Sequence, residues 1–167
     1  SADSVLDVGT GAGLPGIPLA IAAPEKAFLL MDSVRKKLLA VEQIAEKIGL
    51  TNVKILHARA EDPASDPAYR ERFDLVVSRA VANLSTLSEY CLPYVREGGW
   101  FVAYKTVLAA EEIKDAQRAI RMLDGSLAET VPAEEAESGH ILVCIQKERK
   151  TPPAYPRKAG IPSKDPL

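Results

Sequence analysis

Val5-Leu6-Asp7-Val8-Gly9-Thr10-Gly11-Ala12-Gly13-Leu14-Pro15-Gly16 is the stretch whose reading decides the fold. A short apolar run ends in a cluster of glycines, and a second apolar segment, Leu14 to Ala23, follows until Pro24 stops it. The first run is too short for a helix and the second has helical length, so the pair reads as strand, tight turn, helix. Working outward, Ala27–Met31 is a second buried strand. A helix follows it with Val34, Leu38, Val41, Ala45 and Ile48 on one face; Ser33 is placed to cap it and Gly49 to end it. Val53–Leu56 and Phe73–Val77 read as strands three and four, Leu84–Tyr94 as a helix, and Trp100–Tyr104 as a fifth strand after a break at Gly98-Gly99. Leu108–Leu123 is the next helix. Leu127–Val131 and Ile141–Ile145 are expected to close the sheet as an antiparallel pair. Strands alternating with helix-length amphipathic segments predict an α/β fold: a mostly parallel sheet, helices on both faces, and an antiparallel C-terminal strand.

Length and composition agree with one soluble domain. A chain of 167 residues, 47% hydrophobic and 26% charged, buries roughly 70% of its unfolded surface and needs no staple. Cys91 and Cys144 are the only cysteines, too far apart for a zinc motif or a disulfide framework, so no metal is expected and a reduced, cytoplasmic setting is. No stretch approaches the roughly 20 apolar residues of a membrane span. The net charge of -2 excludes a strongly basic nucleic-acid coat protein but not a local binding face. Charge is uneven: residues 107–138 carry three Lys/Arg against eight Asp/Glu, and residues 147–167 carry six against two. Residues 1–149 are read as the catalytic core and 150–167 as a basic, proline-rich tail. Five of the 12 prolines lie in that tail, which excludes helix or central strand and leaves it extended over the core or disordered.

The glycine loop satisfies two motifs. Gly11, Gly13 and Gly16 fit the G-x-G-x-x-G of dinucleotide sites, with Asp32 placed for a ribose; that reading implies a nicotinamide-dependent oxidoreductase. Asp7, Gly9, Gly11 and Gly13 fit equally the D-x-G-x-G-x-G loop of S-adenosylmethionine (SAM) enzymes. A pyrophosphate needs free N–H groups at a helix N-terminus, and Pro15 and Pro18 remove two. Asp7 is unfavourable to a pyrophosphate but suits the cationic end of SAM. Ala60-Glu61, in the loop after strand three, lies where an adenine edge is expected.

Strand four ends Ser78-Arg79-Ala80. The Asn/Asp-Pro-Pro-aromatic motif of exocyclic-amine methylation is absent, and so is a cysteine nucleophile for carbon-5 chemistry. Pro152-Pro153-Ala154-Tyr155 lies in the tail and is no substitute, and no Ser/His/Asp set or paired carboxylates stand out. His57 and His140 read as structural residues and Cys91 as core. Arg79 is left as the distinctive group, a salt-bridge partner or a contact to a substrate anion or base edge. An acceptor that needs no general base fits this inventory. Guanine N7 has an in-plane lone pair and no proton, so positioning supplies most of the rate.

The run Leu6 to Leu19 closely resembles the ribosomal RNA small subunit methyltransferase G family. So do Leu30-Met31-Asp32-Ser33 with Arg35-Lys36-Lys37, Ala60-Glu61, Ser78-Arg79-Ala80-Val81-Ala82, Tyr104-Lys105, and the tail Tyr155-Pro156-Arg157-Lys158-Ala159-Gly160-Ile161-Pro162 through Pro166-Leu167. The resemblance implies a Rossmann-like SAM-dependent methyltransferase, a cytoplasmic bacterial enzyme that methylates guanine N7 in 16S rRNA. It places Asp32 at the ribose, and Gly9, Leu14, Ala60, Glu61 and Arg79 beside SAM, with Asp7, Gly11 and Gly13 completing the loop. Arg79, between donor and acceptor, and Lys105 are the candidate catalytic residues. Two departures are expected to matter: the family carries a helical segment before the first strand that this chain lacks, and Thr106 follows Lys105 where glycine is common.

An RNA face follows from charge. Arg35, Lys36 and Lys37 open a helix where the dipole disfavours cations, a placement phosphates relieve. Arg157, Lys158 and Lys164 extend a phosphate-tracking surface. The expected partner is 16S rRNA or the small ribosomal subunit and the expected state a monomer. A non-catalytic RNA-binding module of the same fold is the further alternative.

Overall fold

In a computed structural model, which describes residues 3–79, 81–132 and 139–167, the apolar runs become one seven-stranded sheet. Its strands are β1 (Ser4–Val8), β2 (Ala27–Asp32), β3 (Val53–His57), β4 (Phe73–Arg79), β5 (Val95–Thr106), β6 (Gly125–Pro132) and β7 (His140–Lys147), in the order β3-β2-β1-β4-β5-β7-β6. The strands from β3 through β5 pair in parallel, and β7 runs antiparallel to both its neighbours. The expected antiparallel strand is therefore β7. Ala80, part of the quoted resemblance, and residues 133–138, part of the acidic stretch, lie outside the described residues.

Alternation along the strands sorts side chains onto two faces. Leu6, Val8, Met31, Val76, Phe101, Val143 and Ile145 face one core, covered by α3 (Leu84–Cys91) and α4 (Ala110–Met122). Val5, Phe28, Leu30 and Val77 face the other, covered by α1 (Gly16–Ala22) and α2 (Arg35–Lys47). In α2, Leu38, Val41 and Ala45 are buried as the periodicity predicts. Val34 and Ile48, outside the helix proper, are exposed. Ser33 does not cap α2: the carboxylate of Asp32 accepts the Val34 amide at 2.8 Å instead. The helix begun at Leu84 becomes a 3-10 turn over Leu92–Tyr94, where Pro93 has no N–H to continue it. β5 begins earlier than the glycine break implies, and its pairing with β4 shifts register between Phe73 and Leu75.

The tail is neither disordered nor free of helix. It is pinned where it leaves β7: the ammonium of Lys147 donates to the Leu92 carbonyl at 2.8 Å and to Thr151, and the Thr151 amide donates to Glu71. Arg70 donates to the carbonyls of Ala64, Thr151, Pro152 and Tyr155. The chain then turns at Gly160 into α5 (Ile161–Lys164), a single helical turn with Pro162 in its first turn, a position proline tolerates. Its packing against the core through Tyr155 and Leu167 is what its composition left open.

The crossover from β1 to α1 is held by one carboxylate. Asp7 is fully buried, and its Oδ2 accepts the Thr10 hydroxyl at 2.7 Å and the Gly16 amide at 2.9 Å. A Cβ on residue 16 would come within 2.8 Å of that oxygen and of Leu30, so only glycine lets α1 start there. Desolvation raises the Asp7 pKa to about 6, against the opposing pull of those hydrogen bonds. Because its folded pKa lies above its ordinary value of 3.8, the folded chain binds the proton more tightly than the unfolded one. Urea unfolding is therefore expected to show stability declining as pH rises from about 4 to about 6, with about 3 kcal/mol traceable to this group. Asp7→Asn should remove that portion of the slope; an unchanged slope would place the titration elsewhere.

Candidate functional site

The sheet reverses its winding direction between β1 and β4, and in open α/β sheets ligands sit off the carboxyl ends of the strands at such a point. A cleft of ≈ 460 Å³ opens there. Val8 and Gly9 after β1, Met31 and Asp32 at the end of β2, Ala58 to Glu61 after β3, and Val81 and Ala82 after β4 form its strand-side lining. Lys37 of α2, Tyr90 of α3, and Gly160 and Ser163 of the tail complete it. Its size falls in the range of small-molecule sites.

The amides of the glycine loop, apart from that of Ala12, are engaged within the chain. The amides of Gly9 and Thr10 donate to the Met31 carbonyl, and those of Gly13 and Leu14 to the Thr10 carbonyl. Gly11 donates to Asp32 Oδ2 at 2.9 Å and Gly16 to Asp7. Amides so engaged make no nest for a pyrophosphate, which counts against the dinucleotide reading. Gly9 is the loop residue in the cleft lining. A Cβ there would meet Val81 at 2.4 Å, so the β4 loop sits directly on the glycine backbone.

The two carboxylates in the lining have different settings. Asp32 is buried, with one oxygen on Gly11 and the other on Val34, and each oxygen keeps a second lone pair. Glu61 accepts the Gly160 amide on Oε1 at 2.8 Å. Beside it, Tyr90 has its pKa raised by desolvation and by the Glu61 charge. Tyr94 ties the same loop down, donating to the Ala60 carbonyl at 2.5 Å.

Gly9, Asp32, Ala60 and Glu61 are thus brought together as the sequence predicts. Gly11, Gly13 and Leu14 shape the loop without entering the cleft lining, and Asp7 lies beneath it rather than facing a ligand. Arg79 is exposed at the end of β4, opposite Tyr104 of β5 and outside the lining. Lys105 is not free for chemistry: its ammonium donates to Glu112 at 2.5 Å and to the Ala82 carbonyl at 2.7 Å, bracing the β4 loop against α4. Of the basic residues, Arg35, Lys36, Lys37, Lys158 and Lys164 are exposed. Arg157 has a different partner from the phosphate expected of it, the buried carboxylate of Glu89 at 2.7 Å. Sequence reasoning missed Arg59, Tyr90, Gly160 and Ser163 as lining residues. Only the tail's signature pointed toward two of them. Among the described residues no group of three or more His, Cys, Asp or Glu is placed to hold a metal, and no helix is long and apolar enough to cross a membrane.

Solved structures share this fold. The ribosomal protein L11 methylase of Lactobacillus delbrueckii subsp. bulgaricus superposes with a TM-score of 0.64 at 23% identity, over 87% of this chain and 70% of that one. The fibrillarin pre-rRNA processing protein of Methanococcus jannaschii reaches 0.70 at 13% identity, over 88% and 67%. Sequence relatives are far nearer. Ribosomal RNA small subunit methyltransferase G of Clostridium novyi (strain NT) is 49% identical over 99% of this chain and 69% of its own length. That of Lactobacillus acidophilus (strain NCFM) is 44% identical over 98% and 69%. The family model for rRNA small subunit methyltransferase G matches residues 1–142. With its glycine loop, strand-end carboxylates and relatives near half identical, the chain belongs to the rRNA small subunit methyltransferase G family of SAM-dependent methyltransferases.

Proposed function

We propose that the cleft binds SAM and that the enzyme transfers its methyl group to N7 of a guanine in 16S rRNA. The observation that carries this is the presence of both Asp32 and Glu61 in the lining of a cleft beside a glycine loop most of whose amides are already occupied. Such a site selects a ligand by carboxylates, and SAM offers ribose hydroxyls, an adenine amine and net positive charge. When bound, SAM supplies an electrophilic methyl on its sulfonium.

The chain's own part is to bind and to aim. Asp32 has lone pairs left for the ribose hydroxyls, Glu61 borders the adenine side, and Gly9 lets Val81 of the β4 loop close down on the cleft. Val81 and Ala82 form the wall nearest the end of β4, where the acceptor base would enter, with exposed Arg79 at that edge. Guanine N7 carries no proton, so none of these residues has to remove one, and holding nucleophile and methyl in line provides the acceleration. Lys37 and Arg59 at the border of the cleft, with exposed Arg35, Lys36, Lys158 and Lys164 beyond it, form the phosphate-gripping rim. The assignment of cytoplasmic location and of a monomer acting on rRNA or the small subunit rests on the same reading.

Labelled methyl from SAM should enter small ribosomal subunits lacking the mark, and chemical cleavage at N7-methylguanine should locate it; label on an exocyclic amine or a ribose overturns the assignment. Calorimetry should give heat with SAM and none with NAD, and the reverse would restore the oxidoreductase reading. Asp32→Ala should weaken SAM by at least about tenfold, the worth of one charge-assisted hydrogen bond. Arg35→Glu with Lys36→Glu should flatten the salt dependence of RNA binding by about one unit of slope per lost phosphate contact and leave SAM affinity unchanged.

A further inference from the structure

The tail crosses from its anchor at Thr151 to the mouth of the cleft, and the groups that hold it there lie on one face of α3. Thr86, Glu89 and Tyr90 are spaced three and four apart, so they share that face. The Thr86 hydroxyl donates to the Pro162 carbonyl at 2.9 Å, and Tyr90 lines the cleft together with Ser163. Between them Glu89, with no exposed surface, takes the Arg157 amide at 2.7 Å and the guanidinium through Nε at 3.0 Å and Nη2 at 2.7 Å. The same guanidinium donates to the Asp165 carbonyl at 2.8 Å, closing the segment on itself.

A buried carboxylate is a costly means of attaching a tail to a helix. An apolar pair of equal volume would hold as well or better, whereas a buried ion pair accepts only one partner geometry. What that geometry fixes is the turn at Gly160. Its φ of 83° lies in the left-handed region that glycine enters freely, and there its amide meets Glu61 Oε1 at 2.8 Å. Glu61 is thereby held at the wall of the cleft, and its other oxygen has no protein partner among the described residues.

We propose that residues 155–165 are a strap that forms one wall of the cofactor cleft and orients Glu61 toward the ligand, with Glu89 and Arg157 as its positioning pair. This rests on the cleft being the SAM site. The carboxylate that recognises the cofactor is then set by a chain segment about a hundred residues further on, and the affinity of the site depends on the tail's seat on α3.

The test is a cycle of variants titrated calorimetrically with S-adenosylhomocysteine. Thr86→Val removes one hydrogen bond without changing shape, and Glu89→Gln keeps an acceptor but removes the charge. Each should weaken binding, by about fivefold and about tenfold respectively. In a Glu61→Ala background neither should weaken it further, because the strap then has nothing to orient. Arg157→Lys should restore part of what Arg157→Met loses. Effects that add in full to that of Glu61→Ala would reduce the strap to a stability element, as would unchanged affinities in the single variants. Thermal unfolding checks each protein. If the Glu89 variant does not fold, Thr86→Val alone decides the question, since it leaves no buried charge unpaired. If the parent binds no S-adenosylhomocysteine, the assignment of the cleft falls and the strap with it; binding by the parent with indifferent variants removes only the strap.

Discussion

The Asp7 carboxylate is shut away from water at the end of β1. One oxygen receives Thr10 and Gly16, and the other has no partner among the described residues. Burial of that kind opposes the charge, and the raised pKa reports it. The arrangement persists because the chain has only the residues from Gly9 to Pro15 in which to leave a strand and begin a helix, and a buried acceptor is what gathers that turn. Gly16 is drawn in so closely that any side chain would strike the carboxylate or Leu30. From this one fixed point the middle of the loop reaches Asp32 through the Gly11 amide, and Asp32 in turn starts α2 by receiving Val34. Two carboxylates thus organise the loop, the helix that follows β2 and the floor of the cleft.

That construction determines which ligands the site favours. In a phosphate-binding loop the backbone amides are left pointing at the ligand. Here, apart from that of Ala12, they point at Asp7, Asp32 and backbone carbonyls, and the carboxylates of Asp32 and Glu61 stand in the lining of the cleft. Positive charge is kept at the rim: Lys37 and Arg59 border the cleft, while Arg35, Lys36, Lys158 and Lys164 lie exposed. An acidic interior suits a cationic cofactor and a basic rim suits a polyanionic substrate. A net charge of -2, summed over the whole chain, describes neither of these fields.

The elements were legible in the sequence because burial on a two-layered sheet leaves a period that the order of residues alone reveals. Val5, Leu6 and Val8 could be placed in a strand, and Leu38, Val41 and Ala45 on a helix face, without knowing any partner. Gly9, Asp32, Ala60 and Glu61 were legible for a related reason, since each sits at a strand end that the topology turns toward one edge. Arg157 was not. Its charge reads the same whether it meets solvent, phosphate or a carboxylate 68 residues earlier, and nothing local tells these apart. Nor could the sequence tell that the Lys105 ammonium donates to Glu112 and to the Ala82 carbonyl. Nothing in the sequence around Tyr90 set it apart, and only the arrival of Glu61 and Ser163 from distant segments makes it part of a cleft lining.

The proposed transfer to guanine N7 moves no proton and so puts unusual weight on these placements. With no general base to tune, rate depends on how narrowly the nucleophile and the methyl group are held, and an error of one ångström is worth about a hundredfold. The groups that surround the cleft are accordingly attached to parts that cannot drift. Asp32 ends a strand paired on both sides, Ala60 is pinned by Tyr94, and Ala82 is held by Lys105 across to α4. Glu61 stands in a loop and is the exception, since its strand β3 lies at the sheet's edge. It is also the residue that the tail reaches. A cleft wall that its own strand leaves least supported is the one that receives a second support from the far end of the chain.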